Sequence, residues 1–200
     1  MNFQRFKVLI LVVTAVSALL VASPALRQLV VSPKTESLTE LSLFGPYHNG
    51  TYPAGIAQNM TNRLYIDVTN RLGSAAYYQI QIKLSNLTQS GPDSFNKTSS
   101  SQPAIGTMSF VVANGGSLEL PIDLSFQAKL DEHIDGLLHM ESVSINGEAL
   151  NANAATIRWD IAKNGFYGNL IFELWAYNDT VNAFQYNQRY VNLWLKFYVS

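Results

Sequence analysis

From Glu36 onward, apolar side chains recur at every second position in short runs, and Gly, Pro, Asn and Ser separate the runs. Leu41 and Leu43 alternate with polar neighbours until Gly45-Pro46, which predicts a strand over Ser37 to Phe44. Leu64, Ile66 and Val68 alternate with Tyr65, Asp67 and Thr69. Tyr78, Ile80, Ile82 and Leu84 do the same against Gln79, Gln81 and Lys83. Successive side chains of a strand point to opposite faces, so each run has one apolar face for a core. Met108, Phe110 and Val112 lead into Asn114-Gly115-Gly116, and Leu118, Leu120, Ile122, Leu124 and Phe126 follow, so a hairpin is expected here. Pro121 has no N–H to give a ladder, which places that strand at an edge or at a bulge. A smaller hairpin is expected at Val143, Ile145 and Asn146-Gly147. Ile157, Trp159 and Ile161 make a further run. The last pair spans Asn169 to Tyr177 and Arg189 to Val199, with Leu170, Phe172, Leu174 and Val191, Leu193, Leu195, Phe197 facing inward.

Two stretches break this period. Thr88 to Pro103 is polar and serine-rich and reads as a long surface loop. In Ala128 to Leu138, the spacing of Leu130, Ile134, Leu137 and Leu138 predicts a short helix. The expected fold is all-β, an immunoglobulin-like β-sandwich of seven to nine strands with a short helical insertion.

The N-terminus follows another pattern. Val8 to Ala22 is an unbroken apolar run behind Arg5 and Lys7, and it stops at Ser23-Pro24. Basic residues before an apolar helix fit insertion with the N-terminus inside and the remainder translocated. Residues 1–28 are therefore a transmembrane anchor or a signal segment, 29–35 a connector, and 36–200 an exterior domain. The leading expectation is a single-pass cell-membrane protein with its C-terminal domain outside. Cleavage after Ala25 would make it secreted instead.

Composition narrows the functional classes. The 200 residues are 48% apolar but only 14% charged, and the net charge is −1. Nothing in that balance attracts nucleic acid. Cysteine is absent, so disulfides, thiolate metal sites and cysteine nucleophiles are excluded. The stretches that identify hydrolase elbows, zinc proteases and phosphate or dinucleotide loops are missing too. The expectation is a non-enzymatic protein with no cofactor and no metal.

Three groups carry what chemistry remains. Five sequons, at Asn49, Asn59, Asn86, Asn96 and Asn178, fall in loops or strand ends, where N-glycans have room. If Leu174 and Leu193 face inward, then Trp175, Tyr177, Tyr190, Trp194 and Tyr198 share the outward face of the last two strands. Such a cluster is an interaction surface or a carbohydrate platform, unless Gln127 to Gly165 folds over it. Asp131, Glu132 and Asp135 lie close enough on a helix to bridge a cation, although acids on a solvated helix are commoner.

Thr39-Glu40-Leu41-Ser42-Leu43-Phe44-Gly45-Pro46, Val68-Thr69-Asn70, Phe172-Glu173-Leu174-Trp175 and Val191-Asn192-Leu193-Trp194-Leu195 together resemble an archaeal membrane-protein family, domain of unknown function 1616. The resemblance covers about Glu36 to Phe197, and the chain departs from it with extra residues between about Gln127 and Gly165. It implies an exterior, membrane-associated β-sandwich of an archaeal envelope and transfers no catalytic residue. The leading functional expectation is a structural, adhesive or interaction module held by the N-terminal helix, self-associating or bound to an envelope protein. Two alternatives stand beside it: a secreted filament subunit assembling by strand donation, and an accessory subunit or carbohydrate-binding module of a membrane complex.

Overall fold

The period-two runs form eleven strands in the computed structural model, which describes residues 7–8, 10–18, 38–152 and 155–199. They are β1 (Leu38–Phe44), β2 (Gly55–Ala57), β3 (Asn62–Arg71), β4 (Ala76–Ser85), β5 (Gly106–Val112), β6 (Ser117–Leu130), β7 (Leu137–Ile145), β8 (Glu148–Asn151), β9 (Thr156–Asp160), β10 (Gly165–Asn178) and β11 (Ala183–Tyr198). The count exceeds the expected seven to nine because of short elements such as β2 and β8.

One half of the sheet runs β1-β3-β6-β7, all antiparallel. The other runs β5-β4-β10-β11, also antiparallel, with β2 added in parallel to the end of β11. β9 joins the halves: residues 156–158 pair with β7, and Trp159 and Asp160 pair with β10. The result is one curled, all-β sheet whose inner surface is a single core. Leu64, Ile66 and Val68 of β3 and Ile122, Leu124 and Phe126 of β6 are buried from one half. Ile80, Ile82, Leu170, Phe172, Leu174 and Leu195 are buried from the other. The Phe126 and Phe197 rings meet edge to face with centroids 4.8 Å apart. Each such side chain contributes about 1.5–3 kcal/mol when removed from water, so the alternation that defines the strands also supplies the driving force for the curl.

Pro121 sits where its chemistry allows. It is opposite Tyr65 in the β3–β6 ladder, while the β6–β7 ladder begins only at Leu124. Its carbonyl accepts from Asn146 Nδ2 (2.9 Å) on the β7 side, so its missing N–H also points to that open edge and no ladder bond is lost.

The helix expected over Ala128 to Leu138 is not formed. β6 continues to Leu130 after a bulge at Gln127/Ala128, and a tight turn leads into β7. Asp131 Oδ1 accepts the N–H groups of His133 (2.7 Å) and Ile134 (2.8 Å), and Gly136 takes φ +69°. A helix would have buried its four leucine and isoleucine positions together. Here Leu137 and Leu138 are buried in β7, while Leu130 and Ile134 stay exposed. The helical spacing was coincidence across a turn. The aspartate competed for backbone N–H groups, as short polar side chains do.

The chain divides into two compact units, Met1–Glu36 and Ser37–Ser200. In the first, residues 10–18 are helical, and Thr14 Oγ1 donates to the Ile10 carbonyl at 2.8 Å. No helix among the described residues is long and apolar enough to cross a membrane. The remainder of the Val8–Ala22 run, the Ser23-Pro24-Ala25 step and the 29–35 connector lie outside the described residues.

Candidate functional site

The inward parity of Leu170, Phe172 and Leu174 turns Asn169, Ile171, Glu173, Trp175 and Tyr177 to the outer face of β10. Across β4, Lys83 lies opposite Ile171, Gln81 opposite Glu173 and Gln79 opposite Trp175. Across β11, Trp194 faces Asn169, Asn192 faces Ile171 and Tyr190 faces Glu173. At Leu174/Trp175 the ladder slips, because Asn187 and Gln188 are extra residues on β11 and Gln188 takes φ +60°. Beyond that bulge Tyr186 faces Trp175 and Phe184 faces Tyr177, which brings two further aromatic rings to the outer side.

The middle of this face is closed. Lys83 and Glu173 form an ion pair, Nζ to Oε2 2.8 Å, with side chains only 4% and 0% exposed. Residues 86–105 act as a strap over it. The Ser100 N–H donates to Glu173 Oε1 (2.6 Å), and Lys83 Nζ donates to the Ser100 carbonyl (2.8 Å). Trp175 Nε1 donates to Glu173 Oε2 (3.3 Å), so both carboxylate oxygens are satisfied. Buried charges need this kind of closure, since an unpaired one is strongly destabilising. The strap is tied at its start by Asn86 Nδ2 to the Thr156 carbonyl (3.0 Å) and at its end by the Ile105 N–H to the Ile82 carbonyl (2.8 Å).

The strap divides the face in two. On one side Tyr77, Tyr177 and Phe184 form a triad with centroids 5.0 to 5.9 Å apart, and Trp175 and Tyr186 pair at 5.8 Å. Beside these rings a run of polar side chains links Gln81 Nε2 to Gln79 Oε1 (3.5 Å) and Gln79 Nε2 to Ser109 Oγ (3.3 Å). Burial, followed by the Glu173 charge, pushes the Tyr186 hydroxyl up to about 12, so it is neutral at physiological pH. On the other side Trp194 and Tyr198 are exposed, 42% and 51%, among lysines. Lys163 Nζ lies 5.6 Å from the Trp194 ring centroid and 5.3 Å from that of Tyr167, while Lys196 Nζ lies 5.3 Å from that of Tyr198.

The five aromatic residues singled out from the sequence thus lie on one face but in two groups: Trp175, Tyr177 and Tyr190 are half-buried in the first, and Trp194 and Tyr198 belong to the second. What covers the middle is the strap, rather than Gln127 to Gly165. Tyr77, Phe184, Tyr186, Lys83, Glu173 and Ser100 were not singled out. Lys83 and Glu173 were visible only as polar positions in alternating strands.

The sequons differ in what their amides do. Asn49, Asn59 and Asn96 are exposed; Asn86 and Asn178 are half-buried. The Nδ2 groups of Asn86, Asn96 and Asn178 donate to the Thr156 carbonyl, Asp93 Oδ2 and Gln185 Oε1 respectively. In the acidic stretch, Asp131 pairs with His139 (2.6 Å) and Glu132 with Lys129 (2.6 Å). No group of three ligating side chains able to hold a metal occurs among the described residues. His48 stacks on Tyr65, centroids 3.9 Å apart, and reaches Glu119 at 3.0 Å.

No family model matches the chain, and no curated protein matches it. Among solved structures, a β-glucosidase from Listeria innocua in complex with isofagomine is similar at TM-score 0.43 and 10% identity. The match covers 82% of this chain but only 17% of that one. The same enzyme in complex with glucose gives TM-score 0.39 at 9% identity, with the same coverage. Likeness at this level carries no argument about the chain's activity.

Proposed function

We propose that this chain is a non-enzymatic interaction module of a cell envelope, archaeal as the family resemblance implies. In this reading the curled sheet is an immunoglobulin-like β-sandwich on the outer side of the membrane, held there by the N-terminal hydrophobic segment. Its working surface is the outward face of β4, β10 and β11. The observation that carries the reading is the grouping of Tyr77, Trp175, Tyr177, Phe184, Tyr186 and Tyr190 on one side of the strap. A sheet face that needed only to be wet would present polar side chains, whereas clustered rings mark contact surfaces. Low charge and the exposed sequons at Asn49, Asn59 and Asn96 support an exterior setting, with N-glycans completing the solvation. Pairing of β1 with β3 of its own chain supports a tethered module over a filament subunit that donates this arm.

The test is isolation of the full-length protein from native membranes, with cross-linking, as wild type and as the Trp175→Ala/Tyr190→Ala double variant. The expected outcome is an N-terminus that still contains Val8–Ala22, with envelope components cross-linked to the wild type and lost from the variant. A mature N-terminus at Leu26 would overturn the tether. Undiminished cross-linking by the variant would overturn the face.

A further inference from the structure

We infer that the aromatic side of this face is a binding site for a neutral oligosaccharide. The inference rests on the proposed role of the face and names its ligand class.

The first argument is charge. Glu173 and Lys83 satisfy one another beneath the strap and are closed to solvent. Tyr186 keeps its proton through the physiological range. Arg189 Nε is engaged with the Thr39 carbonyl (3.0 Å). The rings and amides that remain carry no charge; Arg189 beside Tyr186 and Asp179 in the recess at the bulge are of opposite sign, so the site presents no net charge to repay an ionic ligand for its lost hydration.

The second argument is the mixture of groups. A sugar ring presents an apolar C–H face and a hydroxyl edge. Here each kind of surface has its counterpart side by side: Trp175 lies opposite Gln79, and Gln79 reaches Ser109 on β5. Gln81 Nε2 donates along β4 to Gln79 Oε1, and Gln79 Nε2 donates across to Ser109 Oγ on β5, which leaves Gln81 Oε1 and the Ser109 hydroxyl hydrogen for hydroxyl groups of a ligand. A protein-binding patch has an apolar centre and a polar rim; this one interleaves the two. A recess of about 500 Å³ continues the site at the bulge, lined among others by Tyr177, Asn178, Asp179, Gln185, Tyr186 and Gln188, and amide side chains again stand beside tyrosine rings, with one carboxylate among them. Bulges re-aim side chains in this way next to binding sites. The strap forms the opposite boundary.

Binding is tested on the full-length protein in detergent, by isothermal titration and tryptophan fluorescence. The probes are soluble β-1,4-glucan, mannan and galactan oligomers, with a sulfated dextran as the charged comparison. At least one neutral probe is expected to bind, and the sulfated probe is not. Trp175→Ala and Tyr77→Ala should each weaken binding tenfold or more. Gln79→Ala, a half-buried polar position that the core does not need, should weaken it severalfold with an unchanged melting temperature. Tyr47→Ala, on a loop elsewhere and 79% exposed, should leave binding unchanged. Binding by none of the neutral probes, preference for the sulfated probe, or full retention of binding in both Trp175→Ala and Gln79→Ala would overturn the inference. If those outcomes occur while envelope cross-linking still depends on Trp175, the sugar is wrong and the face is right. If cross-linking is also independent of Trp175, both readings fail.

Discussion

β4 and β10 are buried on both sides, yet by opposite means. Inward, Tyr78, Ile80, Ile82, Phe172 and Leu174 fill the core with apolar volume. Outward at the same level, Lys83, Ser85, Asn169 and Glu173 are equally hidden, although polar or charged. The inner side is held by area removed from water, which tolerates approximate fit and loses stability in proportion to volume. The outer side is held instead by the ion pair and hydrogen bonds that close Lys83 and Glu173 under the strap, with Ser85 Oγ the one buried side-chain atom among the described residues left without a partner; such a network is sensitive to the loss of any member. Similar burial therefore predicts different responses to substitution.

The largest effect should come from the inner side. Phe172→Ala removes a fully buried ring between two halves of the core and is expected to cost about 4 kcal/mol, within the range for Phe→Ala in a core; urea unfolding measures it. Next is Glu173→Leu, which leaves Lys83 buried beside a side chain that cannot pair with it. It should cost about 3 kcal/mol in the same assay. The double variant Lys83→Met/Glu173→Leu sharpens the contrast. With both charges gone the loss should shrink to about 1–2 kcal/mol, the cost of leaving the Ser100 N–H and carbonyl without partners. A double variant as unstable as the sum of its singles would show that the pair does not act as a unit.

The smallest effect is in acid and belongs to the exposed carboxylates. The His139 hydrogen bond, then the N–H groups of His133 and Ile134, holds Asp131 below the usual carboxylate range. Arg63 does the same for Asp123, and the Asn96 N–H and side chain for Asp93. A carboxylate with a lowered folded-state pKa binds fewer protons than it does in the unfolded chain. Its contribution is complete above about pH 4 and is lost as pH falls through the lower folded value. Urea midpoints should therefore fall in acid below pH 4, and Asp131→Asn should flatten that dependence slightly. An unchanged slope in Asp131→Asn would remove the turn from the account.

Strand positions were legible because each core side chain is announced by its neighbours two residues away. Leu64-Ile66-Val68 and Tyr78-Ile80-Ile82-Leu84 carry that signal without interruption, and β3 and β4 match it. The same rule failed at Leu130 to Leu138, where a turn fixed by one aspartate lies between two strand ends. It also failed on the outer face for a different reason. Lys83 and Ser100 are 17 residues apart, and Ser100 and Glu173 are 73 apart. Nothing local marks them as partners, and an alternating pattern codes a polar position the same way whether water or a strap covers it. Tyr186 and Phe184 were missed because the expected last strand began at Arg189, whereas β11 starts at Ala183 and runs on through the bulge at Asn187 and Gln188.

β9 is five residues long and hydrogen-bonds to both halves of the sheet. Separating the halves at this seam breaks one of its two ladders, three residue pairs with β7 or two with β10, together with the core that both halves share. Amide hydrogens in β9 should then exchange as slowly as those in the centres of β6 and β10, despite the strand's length and its exposed Trp159. Slow exchange there would make this short strand a latch between the two halves of the sheet.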